Sequence, residues 1–346
     1  MAHAEVGDAA VSTLRREDEV EVLLATYNGE RFLREQIESI LAQSYPALRI
    51  LARDDGSVDG TRKILEEYAE REAGRFRLLP ASEPTGGAKG NFARLMGEAT
   101  ADYACFADQD DVWMPDKVRL TMEAMGRLQS EHGRQTPLLV FTDLAVVDEE
   151  LRTIQESMWA GAGIRPESID RLERLLGQNV VTGCTAMVNR RMLDLARRMP
   201  EQATMHDRWM GLLGAALGAA EAVRDRTVLY RQHESNAIGA LDQDGSLRGI
   251  AARARDDRSR RMERWRSEQQ AEALLKLHGA EMPSDKRRLV EQYLRSGRSG
   301  SRLERIAITL RCGFFRSGVL RNAAMLIDLW RGRTTDGLGP TGPAGR

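Results

Sequence analysis

Short apolar runs alternate with amphipathic stretches over the first 120 residues. Val20 to Thr26 (VEVLLAT) is compact and apolar, as a buried strand is. Gly29 follows in a turn, and Arg31 to Gln43 then places Phe32, Ile37, Ile40 and Leu41 at helical spacing. Arg49 to Arg53 reads as a second strand that ends in DDGSVDGT, where Ser57 or Asp59 is a candidate helix cap. A helix continues through Lys63 to Ala69, and Phe76 to Leu79 reads as a third strand. A glycine-rich loop precedes a helix over Asn91 to Ala99, Tyr103 to Ala107 is a fourth strand, and Pro115 opens a further helix at a position that tolerates proline. Strands alternating with helices predict an α/β fold with a parallel, doubly wound sheet. Such sheets bind ligands at the carboxyl ends of their strands, where the polar turns ATYNG, RDDGS and ADQDD all fall.

Beyond Leu138 to Phe141 the rhythm changes. Val180 to Asn189 predicts a strand entered through Gly183, Asp207 to Leu217 a helix, and Val228 to Tyr230 a short strand leading into RQHESN. The expected organisation is a flexible leader over residues 1–19, a catalytic domain over 20–240, a basic helical region over 246–332, and a disordered Gly/Pro-rich tail over 333–346.

Composition narrows the class. The 346 residues carry a formal net charge of -1, which offers no general field for nucleic acid. Three cysteines without a C-x-x-C pair suit a reducing, cytoplasmic compartment. The N-terminus lacks the apolar core of a signal peptide, and no stretch is apolar over the roughly 18 residues that a spanning helix needs.

The carboxylates are the candidate chemistry. Asp108 and Asp110 suit a hard divalent cation, which prefers oxygen ligands and often takes only one or two from the protein when a substrate phosphate supplies others. The competing reading is a solvated loop with helix-capping aspartates. Asp54 and Asp55, in D-G-S, are an ordinary turn composition taken alone. As a functional pair they would include a buried acceptor for a base N–H. Asp207, in TMHDRWM, is either a helix N-cap or a general base. His233, in YRQHESN, is either a packed histidine or a metal ligand.

Read together, LLATYNGERFLREQIESILAQSYPALRILARDDGSVDGTRKIL, GGAKGNFARLM and FADQDDVWMPDKV resemble the inverting family-two glycosyltransferases, most closely the bacterial rhamnosyltransferases. NVVTGCTAMVNR, MHDRWM and LYRQHESNAIG extend the similarity from about residue 20 to 240. The resemblance implies a GT-A type fold, a mainly parallel central sheet flanked by helices with a C-terminal helical extension. It implies that Thr26, Tyr27, Asp55, Lys89, Asn91 and Asp108 bind the donor, that Asp110 and His233 hold Mg²⁺ or Mn²⁺, and that Asp207 is the catalytic base. The implied partners are a nucleotide-sugar donor, dTDP-rhamnose or a UDP-sugar, and a saccharide or lipid-linked saccharide acceptor. The basic apolar stretch from Ala307 to Trp330 adds a peripheral membrane contact, against the alternative of a helix packed on the catalytic domain. Two rivals are weaker. A nucleotidyltransferase would carry a glycine-rich triphosphate loop where ATYNGERF has one glycine, and a binding subunit without turnover would have no use for both Asp110 and Asp207.

Overall fold

The computed structural model describes residues 18–233 and 257–332. Residues 1–17 of the expected leader, the far end of the 20–240 block, residues 246–256 of the basic region and the 333–346 tail lie outside the described residues.

The chain begins β1 (Val20–Thr26), α1 (Leu33–Leu41), β2 (Leu48–Asp54), α2 (Thr61–Arg71), β3 (Phe76–Leu78), α3 (Ala88–Glu98), β4 (Tyr103–Asp108). Every residue of β1 is buried, because a central strand with helices on both faces has no solvent side. α1 turns Leu33, Ile37 and Ile40 inward from one helix face. At the start of α2 the N-cap is Gly60, without a side-chain cap, so neither Ser57 nor Asp59 caps the helix; Asp59 instead accepts the Thr61 N–H from the preceding turn at 3.0 Å. The four strands are parallel in the order β3-β2-β1-β4. The chain therefore steps outward from β1 and then returns to its other side, so the switch point lies between β1 and β4.

The second half adds β5 (Val112–Trp113), α4 (Lys117–His132), β6 (Leu138–Val147), β7 (Thr153–Gln155), α5 (Met158–Ala162), α6 (Leu172–Leu175), β8 (Met187–Asn189), α7 (Arg190–Ala196), α8 (His206–Leu217) and β9 (Ala219–Arg231). The nine-stranded sheet continues from β4 through β8, β6 and β9 to β5, with β7 on the side of β6. β8 runs antiparallel to both β4 and β6, β5 antiparallel to β9 and β7 antiparallel to β6, while β6 and β9 are parallel. Six of the nine strands thus share one direction, and the sheet is mostly but not wholly parallel. An apolar run signals burial in either direction, so the reversal at β8 leaves no mark in the hydrophobic pattern.

Two elements differ from expectation. Only the last three residues of Val180 to Asn189 are strand; Gly183–Thr185 is a 3₁₀ turn. Polar side chains explain this: Asn179 bonds to both backbone groups of Val181, and Thr185 Oγ1 donates to the Thr182 carbonyl at 2.8 Å. Conversely, the strand expected at Val228 to Tyr230 extends back to Ala219, through a charged, solvent-facing portion that hides its periodicity.

Four helices follow the gap in the described chain: α9 (Asp257–His278), α10 (Ser284–Arg298), α11 (Arg302–Cys312), α12 (Val319–Arg331). They share a core with the sheet. Leu274, Val290, Tyr293, Ile308 and Phe314 belong to one buried apolar cluster with Leu172, Trp209, Leu213 and Phe106.

Candidate active site

β1 ends in Thr26 and Tyr27, flanked by the ends of β2 and β4: Thr26 lies opposite Asp54 and Ala25 opposite Asp108. Strands stand about 4.8 Å apart, so the two carboxylate-bearing turns are roughly 10 Å apart across β1. Thr26 is buried, and its hydroxyl donates to Asp54 Oδ1 at 3.1 Å. Tyr27 is 56% exposed, and its backbone is clamped by Gln109, which accepts from Tyr27 N at 2.7 Å and donates to Tyr27 O at 2.8 Å. Gly29 permits this clamp, since a Cβ there would lie 2.3 Å from Gln109 Oε1.

Asp55 is buried and accepts hydrogen bonds from Arg53 Nη1 (2.7 Å), Thr85 N (2.7 Å), Thr85 Oγ1 (2.8 Å) and Gly87 N (3.1 Å). Burial alone raises its pKa, but the bonds from Arg53, Thr85 and Gly87 outweigh it and hold the carboxyl below its ordinary value. Four donors saturate a carboxylate, so Asp55 fixes the 85–87 loop, and a base N–H would have to displace one of them. Asn91 is also committed. Its Nδ2 donates to Thr26 O and Arg53 O, and its Oδ1 accepts from Arg53 Nη1 at 3.0 Å. Lys89 Nζ reaches away from the strand ends, donating to Glu201 O (3.0 Å) and Ala203 O (3.2 Å) and so tying α3 to the segment before α8.

The turn after β4 carries the acidic cluster. Asp110 Oδ2 lies 2.9 Å from His233 Nε2, and the His233 ring packs against Phe32 with centroids 5.2 Å apart. Arg231 braces the turn from β9, donating to Asp110 O at 2.9 Å and also to Glu149 O and Glu35. Asp111 is fully buried, and its Oδ2 has no hydrogen-bond partner. Ligand atoms of Asp108, Asp111 and Cys184 lie within 4.8 Å of one another. Burial, then the negative charges of Asp110 and Asp207, push the Asp108 carboxyl well above its ordinary value. Burial likewise raises the Cys184 thiol. The oxygen-rich set, with one imidazole and an orphaned buried carboxylate oxygen, fits a hard divalent cation.

Asp207 sits in the first turn of α8, whose N-cap is Met205 without a side-chain cap, so Asp207 does not cap the helix. Its Oδ2 accepts from Asn179 Nδ2 at 3.2 Å. Burial raises its pKa to about 6, against opposing bonds from Arg208 N, Asn179 and Gly183 N. His206 is not the titrating group here. It is wedged between Phe92 (centroids 4.1 Å) and Phe106 (4.9 Å), and burial lowers its pKa to about 3. The Gly183–Thr185 turn joins the two halves of the site. Gly183 abuts Asp207, with a hypothetical Cβ 3.7 Å from Asp207 Cβ, and the adjoining Cys184 reaches Asp108 and Asp111.

Asp108 thus lies within electrostatic reach of both Asp110 and Asp207, Asp110 pairs with His233, and Thr26, Tyr27 and Asp55 stand at the neighbouring strand ends. Lys89 and Asn91 act at the margin of the site through backbone contacts. Sequence reasoning missed Arg53, Thr85, Gln109, Asp111, Asn179, Cys184 and Arg231. Of these, Gln109 and Asp111 were visible inside ADQDD, whereas the others are defined by pairings across tens of residues.

A mixed, mostly parallel sheet flanked by helices, with a helical C-terminal region, is the GT-A type of transferase fold. The chain belongs to glycosyltransferase family 2: residues 21–194, just over half of it, match the family described as Glycosyl transferase family 2. It is a glycosyltransferase. Its relatives include the dTDP-rhamnosyl transferase RfbG of Shigella flexneri, 27% identical over 228 residues that cover 63% of this chain and 74% of that one. Another is the UDP-Glc:alpha-D-GlcNAc-diphosphoundecaprenol beta-1,3-glucosyltransferase WfgD of Escherichia coli, 30% identical over 106 residues, 31% of this chain and 40% of that one. Among solved structures, the mannosyltransferase PcManGT from Pyrobaculum calidifontis in complex with GDP-Man and Mn²⁺ superposes with a TM-score of 0.50 at 18% identity, covering 89% of this chain and 78% of that one. That likeness concerns the fold alone.

Proposed function

We propose that this glycosyltransferase inverts the anomeric centre of a nucleotide-diphosphate sugar, taken as dTDP-rhamnose, while transferring it to a hydroxyl of a saccharide or lipid-linked saccharide in cell-surface polysaccharide synthesis. The observation that carries the reading is the turn at Gly183 and Cys184, which abuts the carboxylates of Asp108 and Asp111 on one side and Asp207 on the other. The Asp207 charge also acts on Asp108, a closeness that suits one sugar carbon reached by a donor diphosphate and an acceptor hydroxyl. Asp110 and His233, with Asp108 beside them, are the residues that would hold Mg²⁺ or Mn²⁺. When bound, the cation supplies positive charge to the departing diphosphate. Thr26 and Tyr27 border the nucleotide, and Asp55 shapes the base pocket by holding the 85–87 loop. Asp207 takes the acceptor's hydroxyl proton as the new C–O bond forms. The bond to the diphosphate breaks at the same time, and its electron pair leaves with the diphosphate. A cytoplasmic location follows from the donor class.

The name of RfbG supports the rhamnose donor, and that of WfgD supports a UDP-sugar as second reading and a diphosphate-lipid-linked acceptor as a class. Hydrolysis and transfer measured across dTDP- and UDP-sugars, with Mg²⁺, Mn²⁺ or chelator, test the proposal. Turnover with dTDP-rhamnose that stops on chelation is expected, and Asp110→Ala should abolish metal-dependent donor binding in calorimetry. Unchanged affinity in that variant, or full activity in chelator, overturns the metal assignment.

A further inference from the structure

Large apolar side chains exposed to solvent are concentrated at one end of the chain. Six of the eleven among the described residues lie on α11 and α12: Leu303, Leu310, Val319, Leu320, Ile327 and Trp330. Their spacing is ordered. Leu303, Ala307 and Leu310 form an exposed stripe at i, i+4, i+7, and Leu320, Ala323, Ile327 and Trp330 form another at i, i+3, i+7, i+10. The two helices pack together, with Arg305 of α11 donating to the Leu329 carbonyl of α12 at 2.7 Å. The stripes meet where the Arg302 guanidinium lies 5.9 Å from the Trp330 ring centroid.

The charge around the stripes has one sign. Residues 302–331 contain six arginines and two carboxylates. Both carboxylates are engaged elsewhere, Glu304 with Arg295 and Ser299, Asp328 with Arg260. Arg302, Arg311 and Arg331 form no ion pair among the described residues. An apolar stripe rimmed by unpaired guanidinium groups is complementary to an anionic lipid surface: acyl chains take the apolar residues and headgroup phosphates the arginines. No helix among the described residues is long and apolar enough to cross a membrane, so such a face rests on the bilayer.

We propose that α11 and α12 form a docking face for anionic membrane, with Leu303, Leu310, Leu320, Ile327 and Trp330 inserted and Arg302, Arg311 and Arg331 at the headgroups. The proposal is independent of which donor the active site takes. It is tested by co-sedimentation of the full chain with vesicles of phosphatidylcholine plus phosphatidylglycerol, against phosphatidylcholine alone, at low and high salt. Binding to the anionic vesicles, weakened by salt, is expected. Leu320→Ser with Ile327→Ser should reduce it at least about tenfold, and Arg302→Gln, Arg311→Gln and Arg331→Gln together on the order of 100-fold. Thermal unfolding and donor binding of both variants should match the parent, which separates loss of docking from loss of fold or of the active site. Absence of binding to anionic vesicles at low salt, or equal binding by the variants, overturns the proposal. So does sedimentation velocity without lipid that finds a dimer broken by the serine pair when no vesicle binding occurs, since the face would then meet a second copy of this chain.

Discussion

Asp207 and His206 are neighbours with opposite fates. His206 is packed between two phenylalanine rings and stays neutral, with burial lowering its pKa to about 3. It shapes the start of α8 and takes no proton at neutral pH. Asp207 is raised to about 6 by burial, which brings a carboxylate closer to the working pH and makes it a stronger base than an exposed one. The sign follows directly. The base must be ionised, so transfer should fall as pH drops through about 6, two units above where an unperturbed aspartate would lose it. The measurement is kcat against pH, and a profile flat down to pH 5 would remove Asp207 from the role. Asp207→Asn should keep donor binding while slowing transfer by about 10²–10⁴-fold. Asp111 and Lys117 are further residues of note. Both are fully buried, and Asp111 Oδ2 and Lys117 Nζ have no hydrogen-bond partner. The lysine amine lies 4.2 Å from the Trp113 ring centroid, and burial lowers its pKa. Burial also raises the Asp111 carboxyl well above its ordinary value, so each group is pushed toward its neutral form.

The end of β2 shows what an element contributes. Arg53 is the last but one residue of the strand, is buried, and donates to Asp55, Asn91, Ser82 and Glu83. Arg53→Met should leave a buried carboxylate without its counter-charge and cost about 3–5 kcal/mol of stability, read by urea denaturation. Because Asp55 is held below its ordinary pKa, its bonds stabilise the fold above the unfolded value and are lost as pH falls through the folded one. The variant should show less of that acid-side loss, since the bonds from Thr85 and Gly87 remain. Little of this support was legible in the sequence. β1, β2 and β4 stand out as buried runs with polar ends, and Asp55, Asp108, Asp110, Asp207 and His233 lie within recognisable motifs. The bracket around Asp55 does not, because Asp55 meets Thr85, and Arg53 meets Asn91, only once strands and helices are folded together. The 3₁₀ turn at Gly183 was concealed for a different reason: VVTGCTAMVN is apolar enough for a strand, and the hydrogen bonds of Asn179 and Thr185 override that preference.

At the scale of the whole molecule, the helical C-terminal part is fastened to the catalytic part by its core. Trp209 and His278 have ring centroids 6.3 Å apart, Arg208 Nη2 donates to Ser267 Oγ at 2.6 Å, and Gln270 Oε1 accepts from Thr204 N at 3.1 Å. α9 therefore supports the opening turns of α8, and with them Asp207. A chain shortened to residues 1–256 should expose the apolar surface around Trp209 and Leu213, aggregate on size-exclusion chromatography and lose transfer. A monomeric, active product would show that α8 stands without this backing. The sequence marked the region as basic and helical, but the side of each helix turned inward depends on tertiary packing.

The Gly183–Thr185 turn has a consequence for evolution of the active site. The same short turn touches Asp207 through Gly183 and the Asp108–Asp111 cluster through Cys184, so a change in its backbone moves both sets of carboxylates together. Substitutions within the turn should therefore disturb both at once, whereas substitutions outside it can alter one set without the other.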